Sequence, residues 1–463
     1  MKDRSEVGKP DIRLIVLDTL MKYEKEGKLL KPLLLDVQGR YAGLDRRDRA
    51  FIGALTEGVA ERLITLDWII DQVSSRKAED IRPVIRMIIR MGTYQLIFMD
   101  HVPDNAAVNE SVKITHIKHM DGLKGFVNGV LRGVIGLRDR GIDYPDTETE
   151  CSVPVWIAEM LRKARGEEAA EKMMRQGISE SSLYLRVNQN ATDAGRLVKI
   201  LEDEGITADR IKAYDSDGEL PYSLVVRKGG LVPLESESFN KGLYSIQDLS
   251  SQRAVYELWD RIQVYINHKR EIDINNQSKV DINVYDMCSA PGGKACFLAE
   301  LFNRNRIRDK ATAFRIRACD ISEAKLDRIR ENIERTGIDG IETEKRDAAS
   351  YDPALREKAD IIIADLPCSG LGVMGRKVDI KYRVKPGDIE ELCELQKRML
   401  KNAADYLKSR GLLLFSVCTV TLEETTGQAG YLESIGLHNI MERQILQGVE
   451  PGDGFYYSIW QKR

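Results

Sequence analysis

Two cysteines carry the most chemistry in this sequence. Cys368 stands in ADLPCSG, three residues past Asp365, and Cys418 stands in LLLFSVCTV. Each follows an apolar run that reads as a buried strand. Free cysteines are commonly small buried hydrophobes, and Cys296, Cys319 and Cys393 fit that description. Cys368 and Cys418 differ because they follow the fourth and fifth strands of an alternating strand-helix region. Those strands are neighbours in the usual nucleotide-binding sheet order, so both thiols would point into one crevice. Facing thiols beside a cofactor suit methyl transfer to carbon 5 of a cytosine. That carbon is a poor nucleophile until a thiolate adds to carbon 6 and makes the ring an enamine. A base must then remove the carbon 5 proton, and the target base must first be unstacked. Asp365 is placed to hold the ring's Watson–Crick edge.

The cofactor side of the crevice is read from strand ends. Asp286, Asp320, Asp347 and Asp365 each close a successive strand candidate. Ligands of an open parallel sheet sit beyond those ends. The turn after the first strand is CSAPGGKA, and its run Cys288, Ser289, Ala290, Pro291, Gly292, Gly293 and Lys294 is the candidate cofactor loop. Paired glycines let backbone approach a ligand, and the following helix offers free amides. The turn matches neither the P-loop nor the dinucleotide fingerprint, and alone it reads equally well as punctuation. Asp320 could bind ribose hydroxyls and Asp347 an adenine amino group. Singly, each reads as a helix cap or loop acid; their serial placement argues for a crevice.

A basic stretch, GRKVDIKYRVK, follows Cys368. Arg376, Lys377, Lys381 and Arg383 offer phosphate contacts, and Tyr382 offers a stacking face. The plain alternative is a solvated charged loop.

Three regions would hold these residues. Residues 1–142 repeat helical spacing, as in DIRLIVLDTLMKYEKEGKLL, where Ile12, Ile15, Val16, Thr19, Leu20 and Tyr23 share a face. An all-α bundle of six or seven helices is expected, closed by the polar GIDYPDTETE. Residues 150–242 mix helices with the strands SLYLRVNQ and YSLVVRK, giving a small α/β linking module. Residues 243–463 alternate strands and helices, giving a doubly wound, Rossmann-like α/β domain. NHKREIDINNQSKVD (267–281) reads as a loop before its first strand. The 463 residues allow such a multidomain chain. Seven scattered cysteines, none in a C-x-x-C pair, argue against structural zinc and disulfides and point to a reducing cytoplasm. With five histidines, no metal site is expected. The net charge of −3 means nucleic-acid binding would rest on local patches. No apolar run suggests a membrane span or signal peptide, and a monomer is expected.

At this point the motifs resemble a known family. YDMCSAPGGKACFLAE, ACDISEAKLDRIRENIERTG, ADLPCSGLGVMGRKVDIKYR and LLLFSVCTVTLEE are similar to successive motifs of RNA cytosine-5 methyltransferases that use S-adenosylmethionine. LDRRDRAFIGALTEGVAERLITLDWII resembles the NusB-like RNA-binding domain. LYLRVNQN and GLYSIQDLSSQRAV resemble the linking module of the RsmB/Sun (Fmu) family of 16S rRNA methyltransferases. The resemblance spans almost the whole chain. It implies a class I S-adenosylmethionine-dependent fold and a substrate in 16S rRNA or a small-subunit precursor. It further implies Cys418 as nucleophile, Cys368 as the thiol that assists release, and Asp365 lining the methyl-donor and base site. The sequence departs from the family in Val417, where Thr is usual, in Thr425, where Asn is usual, and in Ser289, where Ala is common. A tRNA cytosine-5 methyltransferase and a non-catalytic assembly factor are the alternatives. The second predicts a lost thiol or glycine turn, and neither is lost. An amino-group methyltransferase would carry an aromatic residue where DLPC carries a thiol.

Overall fold

The computed structural model describes residues 10–27, 29–179, 181–211, 220, 222–227, 233–272, 280–308 and 312–463. Contacts divide the chain into two compact units. One comprises Met1–Ser179 with Met374–Arg383, the other Glu180–Val373 with Val384–Arg463.

The first unit is helical. Its bundle runs through Ile12–Glu26, Leu30–Arg40, Arg46–Glu61, Leu63–Val73, Pro83–Phe98, Asp104–Ile117 and Lys124–Arg140. The first helix shows why. The Asp11 carboxylate caps the amides of Arg13 and Leu14, and Gly27 ends the helix at φ 66°. Ile15, Val16, Leu17, Thr19, Leu20 and Tyr23 are buried between these ends. Two more helices, Val155–Arg165 and Glu167–Gln176, belong to this unit, although their sequence position groups them with the linking module. Arg162 pairs with Glu148, and Arg175 lies 2.9 Å from Glu150.

The segment Met374–Arg383 corrects the reading of the basic stretch. Lys381 is 2% exposed and donates to the Cys151 carbonyl at 3.1 Å. Burial pulls its ammonium down to about 8, against the opposing pull of Glu61. The Tyr382 hydroxyl donates to the Glu61 carbonyl at 2.7 Å and meets the Ser152 hydroxyl at 2.7 Å. Arg383 lies over the Tyr23 ring and donates to its carbonyl. Asp379 accepts the Leu30 amide at 2.8 Å. Lys381, Tyr382 and Arg383 are therefore packing and hydrogen-bonding residues of the helical unit, not a free phosphate-binding face. Long cationic stems and a tyrosine ring bury readily once their polar tips find partners. Lys377 is exposed and Arg376 half-exposed.

The second unit holds two sheets. The small antiparallel sheet has β1 (Leu183–Val187), β2 (Ala208–Arg210), β3 (Ser223–Val226) and β4 (Tyr244–Ile246) in the order β2-β3-β1-β4. The large sheet has β5 (Val280–Asp286), β6 (Thr312–Asp320), β7 (Ile341–Lys345), β8 (Ala359–Asp365), β9 (Leu407–Val417), β10 (Leu437–Ile445) and β11 (Phe455–Lys462). Its order is β10-β11-β9-β8-β5-β6-β7. Strands β5 to β9 run parallel; β11 is antiparallel to both its neighbours. From Ala359 to Ala364 every residue of β8 is buried, because helices or other elements cover both faces of a central parallel strand. The helix Leu249–Ile272 packs Leu258, Ile262 and Tyr265 into the core on one face, and Pro386–Tyr406 packs Met399, Leu400 and Ala403 on the other. Residues 267–272, read from sequence as loop, are the last turns of the first of these helices; residues 273–279 lie outside the described residues. The strand β10 was not expected, since HNIMERQ shows no clear apolar alternation.

Candidate active site

Chain order reverses between β5 and β8. The chain leaves β5 outward to β6 and β7, then returns to the other side of β5 as β8. A crevice opens at such a switch point, outside the carboxyl ends of the strands. Asp286, Asp320 and Asp365 end β5, β6 and β8, and Cys418 follows β9 directly.

The glycine turn is pinned from two sides. Asp320 Oδ2 accepts the Ala290 amide at 3.3 Å and Oδ1 accepts the Ile321 amide at 2.8 Å. Asn332 donates to the Pro291 carbonyl at 2.9 Å. The Ser289 amide donates to the Cys319 carbonyl at 2.8 Å. Gly292 sits at φ 95°, where a side chain would be strained and its Cβ would come within 3.0 Å of Ile329. Gly293 starts the helix Gly293–Arg308. Cys288 packs against the apolar core, and burial first, then the charge of Asp286, holds its thiol well above the ordinary range.

Asp286 is the residue that sequence reasoning left without a role. It is 1% exposed, and no donor reaches either carboxyl oxygen in hydrogen-bonding geometry. Burial pushes it up to about 7, while the neighbouring Ser289 hydroxyl and Lys294 charge pull it back. A buried carboxyl without partners is costly unless a ligand completes it. Its only signal in the sequence was its place at a strand end. Asp347 differs, because its own loop uses both oxygens: the Ala349 amide donates to Oδ1 and the Ser350 hydroxyl to Oδ2.

Lys294 leaves the glycine turn and reaches Asp365. Its ammonium lies 2.6 Å from Asp365 Oδ2, and the Ser416 hydroxyl donates to Oδ1 at 2.7 Å. Ser416 faces Asp365 because the two are register partners on β9 and β8. The two thiols do converge: Cys368 Sγ lies 3.4 Å from Cys418 Sγ. Cys368 is held well above its ordinary range, first by its hydrogen bond with Cys418 and then by burial. The backbones of the two loops also touch. The Gly372 amide donates to the Cys418 carbonyl at 3.1 Å, and a Cβ on Gly372 would fall 1.9 Å from the Gly454 carbonyl oxygen. The residue before the second thiol, Val417, is fully buried in the apolar core, so a hydroxyl there would lie in that core.

Comparison with known proteins agrees with this geometry. The description "16S rRNA methyltransferase RsmB/F" matches residues 274–458. The NusB family matches 10–136, and the ferredoxin-like domain of RsmF/B-like methyltransferases matches 153–217. A protein of Bacillus subtilis named probable ribosomal RNA small subunit methyltransferase B is 31% identical over 425 residues, covering 90% of this chain and 86% of its own. The chain belongs to the RsmB/F methyltransferase family. Ribosomal RNA small subunit methyltransferase B of Proteus mirabilis is 28% identical over 98% of this chain and 99% of its own. A solved structure described as that of PH0851 has the same fold, with a TM-score of 0.74 at 18% identity over 98% of this chain and 100% of its own. The protein is thus an S-adenosylmethionine-dependent RNA methyltransferase of the RsmB/F type. The residues present fit that cofactor. The orphaned Asp286 carboxyl and the side-chain-free approach at Gly292 lie at the strand-end crevice where it would be held. Among the described residues, no helix is long and apolar enough to cross a membrane.

Proposed function

We propose that this RsmB/F methyltransferase methylates carbon 5 of a cytosine in 16S rRNA through a covalent Cys418 adduct. The observation that carries the reading is the thiol pair, 3.4 Å apart, beside the same crevice as the Lys294–Asp365 ion pair. S-adenosylmethionine supplies an electrophilic methyl group. Cys288 to Lys294, Asp320, Asp347 and Asp286 would hold it. Cys368 holds its proton more tightly than an ordinary thiol, so its S–H is the group placed to donate to Cys418 and Cys418 is the nucleophile. That thiolate adds to carbon 6, and the electron pair moves to carbon 5, which takes the methyl group. A base removes the carbon 5 proton, the ring double bond re-forms and the carbon–sulfur bond breaks. The Cys368 S–H donates to the departing sulfur. Asp365, fixed by Lys294 and Ser416, holds the Watson–Crick edge.

Residues 1–142 and 150–242 serve as RNA-binding and linking parts, and the exposed Lys377 is placed to meet phosphates. The named relatives act on small-subunit ribosomal RNA, which supports the substrate and a cytoplasmic site of action. Cys418→Ala is expected to abolish methylation. Cys368→Ala is expected to accumulate RNA-linked protein on a denaturing gel; an adduct with Cys418→Ala instead would reverse the roles. Bisulfite mapping of small-subunit rRNA from a strain lacking the gene tests the substrate, and an unchanged cytosine pattern would defeat it.

A further inference from the structure

Glu424 sits six residues past Cys418 and is fully buried. Among the described residues no lysine or arginine pairs with it; hydrogen-bond donors surround it instead. Oε1 accepts the Ser369 amide at 2.8 Å and the Gln396 amide nitrogen at 3.2 Å. Oε2 accepts the hydroxyls of Ser369 at 2.5 Å, Thr421 at 2.9 Å and Thr419 at 3.2 Å. Ser369 directly follows Cys368, and Thr419 directly follows Cys418. Their hydroxyls also meet each other at 2.7 Å. Gln396 adds a grip on the near side of Cys368, donating to the Pro367 carbonyl at 3.0 Å.

A buried carboxylate without a counter-ion persists only when donors replace its water. Charge-assisted hydrogen bonds are short and geometrically demanding, so this anion fixes what donates to it. What donates here is the residue after each thiol. The Gly372–Cys418 backbone bond is a further link between the two loops.

We propose that Glu424 is a positioning residue for the thiol pair. Its carboxylate ties Ser369 and Thr419 to one point and thereby sets the Cys368–Cys418 separation on which release of the adduct depends. The inference rests on the thiol roles proposed above. A second effect accompanies the first: the Glu424 charge helps keep Cys368 protonated, behind the Cys418 hydrogen bond and burial.

The test compares full-length variants in steady-state and single-turnover reactions on 16S rRNA. Glu424→Ala removes the acceptor, and a displacement of about 1 Å at a reacting group costs about a hundredfold in rate. The expected result is a fall in kcat of that order, with S-adenosylmethionine binding and KM for RNA little changed. RNA-linked protein should accumulate as in Cys368→Ala. Glu424→Gln is the conservative rescue. Its oxygen can face the Ser369 and Gln396 nitrogens, and its NH2 can donate to two of the three hydroxyls, which rotate to accept, while the third bonds its neighbouring hydroxyl. It should restore release and move the alkaline limb of the pH profile to lower pH, since a charge that held Cys368 protonated is gone. Ser369→Ala, which removes one tether at little cost to the fold, should accumulate adduct to a lesser degree. If Glu424→Ala turns over slowly without adduct, or Ser369→Ala and Glu424→Gln release product with wild-type rates and pH profile, the inference fails. Cys418→Ala and Cys368→Ala run in parallel separate that failure from failure of the covalent mechanism itself.

Discussion

Asp286 and Glu424 are both buried carboxyls on the large-sheet unit, and their surroundings are opposite. Asp286 has no hydrogen bond of good geometry, although the Ser289 hydroxyl is beside it, and burial pushes it up to about 7. Glu424 accepts from five groups. On the function proposed above, the first is a site that a ligand's donors would complete; the second already has its donors and holds other groups in place. Burial alone does not separate a binding carboxylate from a scaffolding one. The count of satisfied oxygens does.

The contrast can be broken most directly by pH. A raised carboxyl means that the folded protein holds a proton that the unfolded chain has lost. Stability of the cofactor-free protein should therefore fall as pH rises from about 4 to about 7, by up to about 4 kcal/mol, and level off above that. Urea melts across this range should show the slope in the wild type and a flattened one in Asp286→Asn. An equal slope in both would mean that Asp286 is not the group responsible. Next in size, Glu424→Ala should lower stability by about 3 kcal/mol, because it orphans buried donors. Its calorimetric affinity for S-adenosylmethionine should stay close to wild type. The smallest effect is at the ligand. Asp286→Ala should weaken S-adenosylmethionine binding by about thirtyfold, the worth of one hydrogen bond to a charged group. Its stability at pH 8 should not fall. Unchanged binding would remove Asp286 from the cofactor site and erase the contrast.

Much of the crevice could be read from the sequence because its signals are local. ADIIIAD is apolar without alternation, short and β-branched, so it reads as a buried strand with Asp365 at its end, as the structure has it. CSAPGGKA and the strand-end acids lie within a few residues of the elements that place them. The convergence of Cys368 and Cys418 followed from strand order, and the two sulfurs do meet. Glu424 was invisible for the opposite reason. Its donors come from Ser369, Gln396, Thr419 and Thr421, which no local pattern links. Lys381 and Tyr382 misled because a charged, aromatic stretch looks solvated until its partners are known. Those partners, Cys151, Ser152 and Glu61, lie more than 200 residues away.

That last separation has a consequence in time. The helical unit includes Met374–Arg383, yet the rest of it ends at Ser179. A ribosome adding about 5–20 residues per second needs roughly 10–40 s to cross the intervening stretch. Through that interval the nascent helical unit lacks Tyr382 against Ser152 and Asp379 against the Leu30 amide. Its last contacts form only after four strands of the catalytic sheet, β5 to β8, have left the ribosome.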